Sequence, residues 1–311
     1  MTTYIRLRTG KDSKLFRQFY ENNYIGTYCK IDFDLKDYIT PTHTEFNRNF
    51  YIPEIQKTEP DRSKISIGLN GGLLHTVCAC PVDTIILLKD QKDTFHFAKI
   101  MGDYFFRPDN PNNQKHCRSI EWLPGQLTKE SASDNLWKSL NAQGTMVWLD
   151  KHVSEIEEIL NGSSSTIYTK DSNIEDAANF ALEKHLEDFL VSNWNQTPLG
   201  KDYDILSVDG ELVGQQYQTD TGPIDILAIS KDKKKLVVIE LKKGRASDAV
   251  VGQIQRYMGY VKFELAEPNQ EVSGIIIALE DCKKIKRALS VANNIDFYSY
   301  TINFKLTQSV I

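Results

Sequence analysis

No apolar run in this 311-residue chain approaches the roughly 18 residues that cross a bilayer as a helix. A helical membrane protein is therefore not expected. The opening residues, MTTYIRLRTGKDSK, have neither the apolar core nor the small-residue cleavage site of a secretory leader, so the expected compartment is the cytoplasm. Cysteine is scarce and odd in number, five residues at Cys29, Cys78, Cys80, Cys117 and Cys282 without framework spacing, which points to reduced thiols rather than a disulfide scaffold. The chain also lacks any CxxC or HxxxH spacing. A zinc site built from His75, Cys78, Cys80, His116 and Cys117 is thus disfavoured against buried thiols, Cys78 and Cys80 sharing one face of a predicted strand. Internal repeats and low-complexity tracts are missing too. An excess of positive charge is absent, the net charge being −5, which argues mildly against a generic polyanion binder.

What is present suffices for ordinary folded domains. With 41% hydrophobic and 25% charged residues, the chain can build real cores and is long enough for two domains. Charge divides unevenly: residues 1–125 hold 17 Lys and Arg against 15 Asp and Glu (+2), the remainder 20 against 27 (−7). Residues 1–125 show short alternating stretches (TYIRLR, KISIGL, TVCAC, DTIILLKD, TFHFAKIMGDYFF) punctuated by Pro, Asn and Gly, the pattern of a β-rich, barrel-like domain. The loop RPDNPNNQKH separates MGDYFF from RSIEWL as in a long-looped hairpin. Residues 126–174 mix helical signals with the polar NGSSST segment and read as a helical connector and linker. Residues 175–311 follow the order helix, strands, helix, strand, helix, strand, an α/β domain with a mixed sheet flanked by helices. The fold class is thus α+β and α/β in two domains.

The acidic half carries the chemistry. GPIDILAIS and KLVVIELKKGR are apolar runs interrupted by Asp225, Glu240 and Lys242, and a carboxylate among Ile, Leu and Val costs several kcal/mol unless compensated. Residues two apart in a strand point the same way, so Glu240 and Lys242 share a face while Leu241 takes the other. A hairpin through SKDKKK brings Asp225 beside Glu240. Two carboxylates on neighbouring strands form a hard, oxygen-rich site of the type Mg²⁺ prefers, with Mn²⁺ as a substitute. Such a cation polarises a phosphodiester and acidifies a bound water, while Lys242 orients that water. The implied reaction is phosphodiester hydrolysis, on DNA or RNA alike. On the following helix Gln253 and Tyr257 lie one turn apart on one face, flanked by Arg256. Glu183 lies in the amphipathic helix FALEKHLEDFL, with Leu182, Leu186, Phe189 and Leu190 as its buried stripe, and Glu187 competes with it for reach towards the metal.

A helix with an acidic residue, a strand with Asp, a strand ending Glu-x-Lys and a helix with Gln-x-x-x-Tyr together resemble the PD-(D/E)XK nuclease superfamily. GPIDILA, VVIELKKGRA and VGQIQRYMGYV are most similar to the NucS-type endonuclease domain, over roughly residues 175–311. The resemblance implies a metal-dependent DNA endonuclease. Asp225, Glu240, the Leu241 carbonyl and Glu183 would be its metal ligands, Lys242 the catalytic lysine, and Gln253 and Tyr257 supporting residues. The N-terminal half does not look like the DNA-binding domain of mismatch-specific members. GLLHTVCACPVDTIILLKD, FAKIMGDYFFRPD and HCRSIEWL resemble instead the specificity domains of Mrr-type, modification-dependent restriction nucleases. That suggests target recognition, restriction and antiphage defence, with a repair nuclease or an inactive nucleic-acid-binding module as alternatives. Cutting both strands of a duplex needs two sites, hence a homodimer.

Each of these residues has a plainer reading. Glu240 and Lys242 alone make an ion pair at a strand end, and Tyr257 alone is a core-edge residue. Glu183 and Glu187 alone are a solvated helix face. Arg6, Arg8, Lys11, Lys14 and Arg17 form either a phosphate-contacting patch or a solvated basic face. Tyr104, Phe105, Phe106 and Trp122 either stack on a flipped base or fill the N-terminal core.

Overall fold

The computed structural model describes residues 2–142, 144–160 and 185–301, in two compact units, Met1–Tyr168 and Thr169–Ile311. In the first unit the strands β1 (Tyr4–Leu7), β2 (Tyr24–Thr27), β3 (Ile85–Lys89), β4 (Phe95–Phe106), β5 (His116–Leu127) and β6 (Met146–Trp148) make one half-barrel sheet in the order β2-β5-β4-β3-β1-β6. The expected β4–β5 hairpin forms, pairing Phe106 with His116 across the long loop. Both faces of this sheet are covered. Ile86 and Leu88 join Ile25, Ile100, Phe19 and Val77 on one side, whereas Ile85 and Leu87 join Phe95, Phe97, Leu136, Leu140 and Ile156 on the other. Burial on both faces explains why IILLK is a continuous apolar run instead of an alternating one.

The helices of this unit are α1 (Phe16–Asn22), α2 (His43–Phe46), α3 (Ile52–Gln56), α4 (Lys64–Ala79), α5 (Asp134–Leu140) and α6 (Val153–Leu160), with a π-helical segment Asn47–Tyr51 joining α2 to α3. Here the structure corrects the sequence reading, because KISIGL and TVCAC are not strands but the two ends of α4. Ser63 starts it, its Oγ accepting from the Ser66 N–H at 3.2 Å, a capping bond that favours a helix start. Ile65, Ile67, Gly71, Leu74, Val77 and Cys78 are all buried. So much of the circumference is covered that no polar face shows the helical period. Cys80 sits just beyond the helix end, so Cys78 and Cys80 share no strand face. The stretch read as a connector supplies α5, β6 and α6 to this unit, β6 pairing with β1 and α5 and α6 closing one apolar cluster. The NGSSST segment lies outside the described residues.

Two buried cations brace the unit. Arg6 is 1% exposed and donates to the carbonyls of Gly144 at 2.7 Å and Ala142 at 2.6 Å. It therefore belongs neither to a phosphate patch nor to a solvated face. Arg118 donates through Nε to Gly102 O at 2.7 Å and through Nη1 to Cys78 O at 2.9 Å and Cys80 O at 2.8 Å, which caps the carbonyl end of α4.

The second unit is built on β7 (Tyr203–Ile205), β8 (Ser207–Val208), β9 (Glu211–Leu212), β10 (Gln215–Thr219), β11 (Gly222–Ser230), β12 (Lys235–Arg245), β13 (Glu271–Glu280) and β14 (Ile295–Ser299). Its main sheet runs β10-β11-β12-β13-β14, with β7 also on β11 and a separate β8–β9 pair. The β10–β11–β12 pairs are antiparallel and the β12–β13–β14 pairs parallel. Crossovers through α8 (Ala249–Tyr260) and α9 (Lys283–Leu289) link the parallel strands, as parallel pairing requires. Ile226, Ala228, Val237, Ile239, Leu241, Ile275 and Ile277 form one buried face with Trp194, Leu199, Leu186 and Leu190. The last two belong to a helix, α7, described over 185–192. Phe189 is 63% exposed, contrary to the expected stripe: the inward positions of α7 are Leu186, Glu187, Leu190 and Val191, and Phe189 turns away. No helix among the described residues is long and apolar enough to cross a membrane.

Candidate active site

The SKDKKK turn makes the expected hairpin. Ile226 pairs with Ile239 and Leu227 with Val238, and one further step of that register sets Asp225 opposite Glu240. Their neighbours Ile226, Ile239 and Leu241 point into the apolar cluster, so the two carboxylates emerge together on the other face. Just after Lys242 the β12–β13 register shifts, a bulge that ends regular pairing where the polar side chains stand.

Glu240 is 2% exposed. Its Oε1 accepts from Lys242 Nζ at 2.8 Å and from Gln253 Nε2 at 2.6 Å, which fixes the carboxylate between strand and helix. Asp225 Oδ2 accepts from the Leu241 backbone N–H at 2.9 Å, and Oδ1 from Gln216 Nε2 at 3.2 Å. Burial raises the Asp225 pKa from 3.8 to about 6, the nearby Glu187 charge adding to the effect while the Leu241 N–H, Lys242 and Gln216 oppose it. An ionised Asp225 thus lacks compensation that a cation would supply.

Glu183 lies outside the described residues. Glu187 is described, 3% exposed, and accepts from Gln215 Nε2 at 2.7 Å and from Gln216 Nε2. The chain therefore brings together Asp225, Glu240, Lys242, Gln253 and Glu187. Tyr257 is buried on the same face of α8 as Gln253, with the Arg256 guanidinium 5.6 Å from its ring centroid. Its hydroxyl lies only 3.2 Å from where a Cβ on Gly222 would stand. Sequence reasoning missed Gln215 and Gln216. Their placement shows only in the β10–β11 register, where Gln215 pairs with Ile226 and Tyr217 with Ile224, which leaves Gln216 facing Asp225.

The donor set suits a hard divalent cation: carboxylate oxygens, no thiol and no imidazole. Among the described residues no group of three or more His, Cys, Asp or Glu is poised to hold a metal, but Mg²⁺ is held by one or two carboxylates with waters and phosphate oxygens completing its shell. Asp225 and Glu240 meet that requirement. The zinc alternative finds no support. Cys78, Cys80 and Cys117 are buried free thiols, His75 Nε2 lies 2.7 Å from Thr40 O, and His116 lies between Ile31 O and the Tyr104 hydroxyl. Of the aromatic candidates, Phe105 packs on a core cluster, and Tyr104 and Phe106 pack on the His116 ring. Trp122 lines a cleft of about 450 Å³ with Tyr20 and His96.

An Asp on one strand, Glu-x-Lys on the next, and a glutamine from the following helix on that Glu stand on one face of a mixed sheet, the arrangement that the PD-(D/E)XK resemblance implies. Residues 183–304 match the family described as Endonuclease NucS C-terminal domain. Endonuclease NucS of Methanocaldococcus jannaschii is 35% identical over 75 residues, 24% of this chain and 27% of that protein. Endonuclease NucS of Sulfolobus acidocaldarius is 29% identical over 130 residues, 42% of this chain and 45% of that protein. The chain spans less than half the length of the curated relatives it matches. Among solved structures, an EndoMS–dsDNA2 complex aligns at 15% identity over 71% of this chain and 66% of its own, TM-score 0.32. A repair endonuclease from Pyrococcus abyssi aligns at 15% identity over 70% and 77%, TM-score 0.30. Superposition that loose adds nothing to the sequence match.

Proposed function

We propose that this protein is a divalent-metal-dependent DNA endonuclease. The observation that carries the reading is the convergence of Lys242 Nζ and Gln253 Nε2 on Glu240 Oε1, with Asp225 opposite on the neighbouring strand. Asp225 and Glu240, with the Leu241 carbonyl and an acidic residue of the preceding helix, would hold Mg²⁺ or Mn²⁺. When bound, the ion supplies charge neutralisation at the phosphodiester and a more acidic water. Gln253 keeps Glu240 in one orientation, so the carboxylate need not reorganise. Lys242, held on the same oxygen, stands ready to orient the attacking water and to offset negative charge building on the phosphate. Tyr257 closes the helix side of the site against Gly222.

The biological role we infer is restriction of foreign DNA in the cytoplasm by a homodimer, one site for each strand. Support comes from the separate N-terminal unit, which lies ahead of the matched residues 183–304, and from five free thiols, which suit a reducing compartment. The test is cleavage with Mg²⁺ or Mn²⁺, by wild type and Asp225→Asn, of unmodified, methylated, hydroxymethylated and mismatched duplexes and of single strands. Cutting of modified duplex alone, lost in the variant, is the expected result. A preference for mismatches or forks moves the protein to repair, and tight binding with no cutting leaves an inactive binding module.

A further inference from the structure

Gln216 stands out in β10 by its backbone. Its φ is +50°, the left-handed region that favours glycine and disfavours a residue bearing a Cβ. The residues around it pair regularly with β11, Gln215 with Ile226 and Tyr217 with Ile224, and the strand is anchored there by the Leu227 N–H donating to Gly214 O at 2.7 Å. With the backbone turned this way, one side-chain amide reaches two carboxylates, Asp225 Oδ1 at 3.2 Å and Glu187 Oε2. An amide carries two N–H donors, so both bonds can be made at once. Gln215 secures the other Glu187 oxygen at 2.7 Å. Strained backbone concentrates where function holds it.

We propose that Gln216 is a positioning residue of the nuclease site, its amide setting the spacing and aim of Asp225 and Glu187 towards a shared divalent cation, with the left-handed backbone as the cost of that placement. The inference rests on the function proposed above and deepens it by assigning the helix-borne carboxylate to Glu187.

The test uses the full chain and two variants. Gln216→Gly removes the amide and suits the left-handed backbone; Gln216→Leu removes the amide and keeps the bulk. Three quantities are read: melting temperature without metal, Mn²⁺ affinity by calorimetric titration, and kcat and KM on whichever duplex the wild type cuts. For Gln216→Gly the melting temperature is expected to hold or rise. Its Mn²⁺ affinity and kcat should each fall about 10- to 100-fold, the range for lost outer-shell partners, with KM little changed. Gln216→Leu should lose as much in affinity and kcat but melt lower. Wild-type Mn²⁺ affinity and kcat in Gln216→Gly would overturn the assignment, and so would collapse of both variants' folds, which would make the residue structural. A wild type that binds Mn²⁺ but cuts nothing defeats the nuclease reading alone, because the difference in Mn²⁺ affinity still decides the role of Gln216. A wild type that binds no Mn²⁺ overturns both.

Discussion

At Asp225, burial works against ionisation, and the sign of the resulting pH dependence follows directly. Below pH 3.8 the carboxyl is protonated in folded and unfolded chains alike; between 3.8 and about 6 the unfolded chain has lost a proton that the folded chain keeps. Stability therefore falls as pH rises through that window, by on the order of 3 kcal/mol, and the loss is complete above it. Asp225→Asn should remove this loss. Without metal, the variant is expected to match wild type near pH 4 and to melt higher at pH 7, and parallel melting profiles would contradict the burial argument. Glu240 gives the opposite case, a buried carboxylate already held by Lys242 and Gln253. Removing the cation with Lys242→Met should cost about 2–4 kcal/mol, since it leaves a desolvated charge behind. Adding Glu240→Gln to that variant should recover much of the loss without restoring cleavage. Urea denaturation of the four-member cycle measures the coupling, and strictly additive losses would mean the pair is not interacting.

Among the elements, α4 and the β11–β12 hairpin mark what could be read in the sequence and what could not. The hairpin was legible because two long apolar runs are separated by a short polar turn, and a period of two then fixes which side chains share a face. That brought Asp225 and Glu240 together on paper as in the fold. The role of Gln216 was not legible, since a glutamine in a strand carries no periodic signal and the register of β10 had to be known first. The α4 helix was hidden for a different reason: Ile65 and Ile67 are both buried, so KISIGL alternates as a strand would, while Gly71 and Gly72 weaken helix propensity. Those two glycines give a sharp test. A Cβ on Gly71 would lie 2.0 Å from Asn47 Oδ1 and 2.5 Å from the Tyr51 ring, whereas one on Gly72 meets nothing closer than His43 Cδ2 at 3.8 Å. Gly71→Ala is expected to destabilise by about 1–3 kcal/mol through overpacking. Gly72→Ala should stabilise by up to about 1 kcal/mol. Equal effects in chemical denaturation would show that α4 does not pack on the π-helical segment at Gly71.

At the scale of the whole molecule, the apolar clusters among the described residues each draw on one unit: the two on either side of the first sheet and a third around Ile31, Leu35, Phe46, Tyr51 and Leu74 lie within Met1–Tyr168, and the cluster around Ile226 and Ile239 lies within Thr169–Ile311. A unit with its own core can unfold as its own cooperative step, and perturbations in the two units should then be separable. Charge marks this boundary only weakly, −1 in residues 1–168 (20 Lys and Arg against 21 Asp and Glu) and −4 in 169–311 (17 against 21), since the acidic stretch 126–160 belongs to the first unit. Scanning calorimetry of the full chain is expected to resolve two transitions. Mn²⁺ at about 100 times its dissociation constant adds roughly 2.7 kcal/mol to the unit that binds it, which for a domain of this size raises one transition by several degrees. Asp225→Asn should abolish that shift and leave the other transition in place, while Gly71→Ala should lower the transition that Mn²⁺ does not move. If a single transition responds to all three, the two cores unfold together and the cation stabilises the molecule as one body. If both transitions appear but Mn²⁺ moves the one sensitive to Gly71→Ala, the cation binds in the N-terminal unit and the carboxylates of β11 and β12 are not its ligands.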